Sequence, residues 1–99
     1  WPEEKIQVMM KTIEDGLQLS SDHVLADFGC GGGWIVSHLA PKVKMAVGLD
    51  FSYGMLENAR SFGYSGPLVQ GGIGSLPFAK HSFDRILLRP VCLSLFEYL

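Results

Sequence analysis

Cysteine is scarce in this chain, and neither sign of charge is in excess. Only Cys30 and Cys92 occur among 99 residues, far apart and in apolar surroundings, with no CxxC pair and no Cys/His cluster. That excludes the usual zinc spacings and a disulfide framework, and leaves two buried free thiols as the expectation. Eight Lys and Arg against ten Asp and Glu give a net charge of −2, with the cations scattered. There is no basic stripe for nucleic acid and no polybasic patch for a membrane surface. No apolar run reaches the roughly 18 residues of a membrane span. Glu3, Glu4, Glu14 and Asp15 make the first twenty residues unlike a secretory leader. Repeats, linkers and low-complexity tracts are also missing. One domain over residues 1–99, cytoplasmic and off the membrane, is expected, with 47% hydrophobic residues to build its core.

What is present alternates between two periods. Ile6, Met9, Met10, Ile13 and Leu17 form one apolar stripe, which predicts a leading helix over 3–15 with Gly16 as its C-cap. Segment 24-VLADF-28 reads as a strand, 34-WIVSHLA-40 as a helix stopped by Pro41, and 43-VKMAVGLD-50 as a second strand. Ser52 is placed to cap a helix over 53–60 that turns Met55, Leu56 and Ala59 inward. Short strands follow at 67–70 and 83–88, separated by a glycine-rich loop, and the apolar 91–99 segment begins another helix. Strands alternating with helices imply an α/β fold with right-handed crossovers and a mainly parallel sheet.

The polar features gather at the carboxyl ends of these strands, where open α/β sheets bind ligands. Asp27 and the glycines close the first strand, Asp50 the second, Gly71–Gly74 the third, and Arg89 the fourth. No lysine follows the glycines as a P-loop requires. Gly29 and Gly31 match the first two glycines of a dinucleotide fingerprint, but Trp34 occupies the place of the third. Trp34 should obstruct the close helix–strand approach that glycine permits, and Asp27 is unfavourable to a pyrophosphate. A nucleoside with a ribose diol and a positively charged neighbouring group fits better, with Asp50 accepting from the diol. A plain tight turn, and an acid that merely enters a helix, are the competing readings. His23, His38 and His81 read as turn, helix-surface and loop residues, so no catalytic base is nominated.

In order and spacing, 24-VLADFGCGGG-33, 47-VGLDFSYGMLENAR-60, 76-LPF-78 and 82-SFDRILL-88 resemble the first half of a class I S-adenosylmethionine-dependent methyltransferase of the small-molecule type. The resemblance implies a Rossmann-like open parallel sheet with flanking helices, cut to about four strands in the order 3-2-1-4. It implies S-adenosyl-L-methionine as cofactor and no metal. Asp27 and the backbone of Gly29, Cys30, Gly31 and Gly33 would hold its methionine end. Asp50 would take the ribose hydroxyls, Phe51 would lie against the adenine, and Gly72, Ile73 and Leu76 would border that base. The chain departs from the family at Gly72, where relatives carry an acid for the adenine amine, and at 89-RPVCLSL-95. Arg89 reads first as a surface or structural residue, with contact to an acidic acceptor or the cofactor carboxylate as the functional alternative. The expected activity is methyl transfer to an acceptor that the residues do not name. A binding module without transfer, acting through a partner, and a plain scaffold associating through an unpaired edge strand are the other expectations.

Overall fold

The computed structural model describes residues 2–72 and 74–88. Expectations for Ile73, Arg89, Cys92 and the 91–99 segment lie outside the described residues.

Helix α1 spans Glu3–Leu17, and its stripe faces inward as expected, with Met10 buried and Ile13 and Leu17 packed on the core. The helix runs past the expected end at residue 15. Gly16 lies inside it, and Gln18 makes the left-handed cap at φ 49°. The reason is Leu17, which is partly buried and packs the last turn against the core. Arg85 reinforces that end by donating from Nε to the Leu17 carbonyl at 2.6 Å, replacing with a side chain the partner that a final helical carbonyl lacks.

Strand β1 (Val24–Phe28) is followed by helix α2 (Trp34–Leu39) and one 3-10 turn at Ala40–Lys42 containing Pro41. Strand β2 spans Met45–Asp50, two residues shorter than expected, because Val43 donates back to Ala40 and so belongs to the turn. Helix α3 (Tyr53–Phe62) starts at Ser52, whose hydroxyl accepts the Met55 N–H at 3.3 Å, and ends at Gly63 with φ 118°. Strands β3 (Leu68–Gln70) and β4 (Arg85–Leu88) complete the described elements. Phe83 and Asp84 precede β4 instead of opening it. The Asp84 carboxylate accepts the Val24 N–H at 2.8 Å and pins the start of β4 to β1.

Among the described residues four strands form one parallel sheet in the order β3-β2-β1-β4. Period-2 alternation divides the core between its faces. Leu25 meets Met10, Ile35, Val36, Leu39 and Leu56 of the helices on one face. Ala26, Phe28, Val47 and Leu49 meet Phe83, Phe78 and Leu76 of the β3–β4 connection on the other. Phe28, Phe78 and Phe83 pack ring to ring there, with centroids 5.0–5.9 Å apart. Full burial of Leu25, Phe28, Leu39 and Leu49 contributes about 1.5–3 kcal/mol per side chain. Because all strands run the same way, Gly29, Asp50 and Gln70 emerge along one end of the sheet.

Candidate functional site

The glycines after β1 adopt conformations closed to other residues at low cost. Gly29, Gly31 and Gly33 have φ of 85°, 54° and 83°, the left-handed region in which a Cβ is strained. The turn folds the loop back onto β2. The N–H groups of Gly29 and Cys30 both donate to the Leu49 carbonyl, at 2.7 and 2.9 Å. The Gly31 N–H donates to Asp50 Oδ2 at 2.9 Å. A loop with three successive N–H groups engaged this way is a poor cradle for phosphate. Beside two carboxylates, it is a better neighbour for a cation.

Gly33 has a different duty from the one expected of it. A Cβ there would lie 2.6 Å from the Ala59 Cβ and 3.1 Å from its Cα. The close approach that Trp34 was expected to obstruct therefore occurs one residue earlier, and between α2 and α3 instead of helix and strand. Trp34 opens α2 with its ring 39% exposed.

Asp50 ends β2 half-buried, and both its oxygens are used. Oδ2 holds Gly31, and Oδ1 accepts the Ser52 N–H at 2.9 Å. A carboxylate has about four lone-pair directions, so each oxygen keeps capacity for a further donor. The acid is thus both the tie between loop and strand and a preset acceptor pair.

Asp27 on β1 and Cys30 within the glycine turn are both buried. Asp27 is removed entirely from solvent, and Cys30, a free thiol, is 4% exposed. Both stand close enough to Tyr64 to raise its pKa electrostatically, but burial of the phenol is the larger cause. Together, against the opposing Arg60 guanidinium, they push Tyr64 up to about 12. Tyr64, which the sequence leaves in a loop, is a buried residue whose hydroxyl donates to the Ala46 carbonyl beneath β2. Arg60 lies over its ring and donates to the carbonyls of Tyr64 and Gly66 at 2.8 and 2.6 Å.

The remaining expected residues divide between surface and core. Phe51 is 77% exposed beside Asp50. Gly72 is exposed, and a Cβ added to it would touch nothing within 4 Å. Leu76 is partly buried and packs against the core around Phe28 and Phe83. One residue was missed. Gln70 stands in register with Asp50 on the adjoining strand, and its Nε2 donates to the Phe51 carbonyl at 3.2 Å. Strand register was the signal, and it is invisible before the strands are paired. His23 accepts the Ser20 N–H at Nδ1, His38 lies 3.3 Å from Glu14 on α1, and His81 sits in the β3–β4 connection.

A parallel sheet in this order, with a glycine turn tied to an acid at the next strand end, defines a Rossmann-like α/β class of protein. Residues 26–98 match the family model described as a methyltransferase domain, and the chain belongs to the class I S-adenosylmethionine-dependent methyltransferases. It is 37% identical over 73 residues to a malonyl-[acyl-carrier protein] O-methyltransferase of Legionella pneumophila, covering 68% of this chain and 25% of the relative. The methyltransferase YcgJ of Bacillus subtilis is 33% identical over 91 residues, covering 87% of this chain and 34% of that one. The crystal structure of YcgJ superposes with a TM-score of 0.74 at 28% identity, over 81% of this chain and 36% of that chain. An S-adenosylmethionine-dependent methyltransferase of Clostridium acetobutylicum superposes with a TM-score of 0.63 at 28% identity, over 87% and 36%. The chain thus spans about a fifth to a third of the length of the relatives it matches.

Proposed function

We propose that this chain is the cofactor-binding half of a methyltransferase, and that it binds S-adenosyl-L-methionine at the carboxyl ends of β1, β2 and β3. The observation that carries the reading is the Asp50 carboxylate, held by Gly31 and Ser52 with acceptor capacity left on both oxygens. Such a pair suits the two hydroxyls of a ribose. The Phe51 ring, exposed beside it, is available to the face of the base. The turn at Gly29, Cys30, Gly31 and Gly33, with Asp27 on β1 before it, provides backbone and negative charge for the aminoacyl end. Gly72 borders the base through its backbone.

When bound, the cofactor supplies a methyl group on a sulfonium that is already activated for transfer. The chain's own residues bind and orient it, and orientation alone can supply much of the acceleration in such a reaction. No side chain is assigned as a general base. Relatives at 37% and 32% identity bear the names of an O-methyltransferase acting on malonyl-[acyl-carrier protein] and a C5-methyltransferase acting on rRNA uracil. Similarity to proteins with such different acceptors fits a shared donor half.

Gly72 favours a second reading, binding without transfer in support of a partner. Its missing carboxylate removes one hydrogen bond to the base, a loss of about 0.5–1.5 kcal/mol. Among the described residues β4 pairs only with β1. Its other edge is open to a further strand, from the same polypeptide or another chain.

Calorimetric titration with S-adenosylmethionine and S-adenosylhomocysteine tests the reading. Both should bind the folded chain, and Asp50→Ala should weaken both. Absence of binding at millimolar ligand overturns it.

A further inference from the structure

Three polar features meet where β2 and β3 end, and only two of them have a part in the binding reading. Asp50 provides the ribose acceptors and Phe51 an exposed ring. The third is Gln70, exposed, in register with Asp50, with its amide nitrogen 3.2 Å from the carbonyl oxygen of Phe51. Gln70 therefore stands against the residue whose exposed ring is offered to the base. Gly72 leaves open space there, since a Cβ at that position would meet nothing within 4 Å.

We infer that Gln70 reads the edge of the base and selects adenine over hypoxanthine; the inference rests on the binding reading above. A side-chain amide has a donor end and an acceptor end, and by itself it could turn either one to a ligand. Here the Phe51 carbonyl removes that freedom. It accepts from Nε2, so Oε1 is the end of the amide that this bond leaves for a ligand. A carbonyl oxygen facing a base accepts from the exocyclic amine of adenine and repels the exocyclic oxygen of hypoxanthine. To satisfy hypoxanthine the amide must turn over, which breaks its bond to Phe51 and sets two oxygens against each other. The arrangement thus provides the acceptor that Gly72 lacks, from a residue two positions earlier. It also couples base recognition to the backbone of the residue that carries the stacking ring.

The test compares S-adenosylhomocysteine with S-inosylhomocysteine, its hypoxanthine counterpart, by calorimetry on the full chain. The unaltered chain should prefer the adenine ligand by about tenfold, the scale of one hydrogen bond made or lost. Gln70→Leu should reduce the preference to within about twofold. Gln70→Glu, which can only accept, should retain it while losing the bond to Phe51. Gln70→Ala repeats the leucine measurement should that variant melt early. A leucine or alanine variant that keeps the full preference overturns the inference, and so does a glutamate variant that loses it. If the folded, unaltered chain binds neither ligand, the binding reading falls, and this inference with it. A merely structural role would alter both affinities together and leave their ratio unchanged.

Discussion

Asp50 accepts the backbone N–H of Gly31 at 2.9 Å, joining the end of β2 to a glycine nineteen residues earlier. The same carboxylate accepts from Ser52 at the entry to α3. One side chain therefore sets the shape of the glycine turn, the start of the next helix and the candidate acceptor pair. Stability and the proposed binding are coupled at this residue.

Asp50→Ala should lower both. Two backbone hydrogen bonds to a half-buried side chain contribute about 2 kcal/mol together. For a chain of this size that corresponds to a fall in melting midpoint of roughly 8–16 °C. Affinity for S-adenosylhomocysteine should fall by more than about tenfold, since a charge-assisted bond to each ribose hydroxyl is lost as well. Calorimetric melting and titration below the variant's midpoint measure the two effects separately. An unchanged affinity would remove Asp50 from the ribose site.

Gly33→Ala and Gly16→Ala should move stability in opposite directions. At Gly33 the new methyl collides with Ala59 of α3, and φ of 83° is unfavourable to any side chain. Overpacking and left-handed strain together should cost about 2–4 kcal/mol. At Gly16, inside α1, nothing lies within 4 Å of the added atom. Alanine should stabilise that helix by about 0.5–1 kcal/mol. Urea denaturation of the pair checks both signs, and an equal response would refute the assigned packing.

Alkaline unfolding should report Tyr64. Its folded pKa is raised to about 12 from an ordinary 10.0, chiefly because burial disfavours the phenolate. The unfolded chain gives up this proton first, so the contribution is intact below pH 10 and is lost as pH rises toward about 12. Circular dichroism followed with tyrosinate absorbance should show unfolding and ionisation together in that window. Tyr64→Phe, despite losing the bond to Ala46, should flatten the pH dependence there.

Arg85→Met should loosen the end of α1 without disturbing the sheet. The guanidinium on β4 donates to the final carbonyl of a helix 68 residues earlier. Its removal should cost about 1–2 kcal/mol. Amide exchange should accelerate in the last turn of α1 and stay unchanged in β1. Equal acceleration in both would mean that Arg85 supports the sheet itself.

Much of the architecture was legible because it is written locally. The apolar stripe through Met10 and Leu17 and the Ser52 cap each depend on neighbours a few residues away. Element ends were less legible. Gly16 looked like a cap because of its residue type, but packing of Leu17 and the reach of Arg85 carried the helix past it. The segment 43-VK-44 looked like strand by residue type alone, yet Val43 belongs to the turn around Pro41.

At the site, the sequence by itself determined where the functional groups would stand. Glycines that tolerate left-handed backbone followed one strand, an acid ended the next, and parallel crossovers brought those ends to one side. Only the tertiary structure decided what each group does there. The Gly29, Cys30 and Gly31 N–H groups turn inward to β2, Gly33 accommodates Ala59, Asp27 is buried on β1, and Gln70 stands beside Asp50. These assignments follow from strand register and helix packing, which bring together residues far apart along the chain. No local pattern encodes which donor meets which acceptor across those distances.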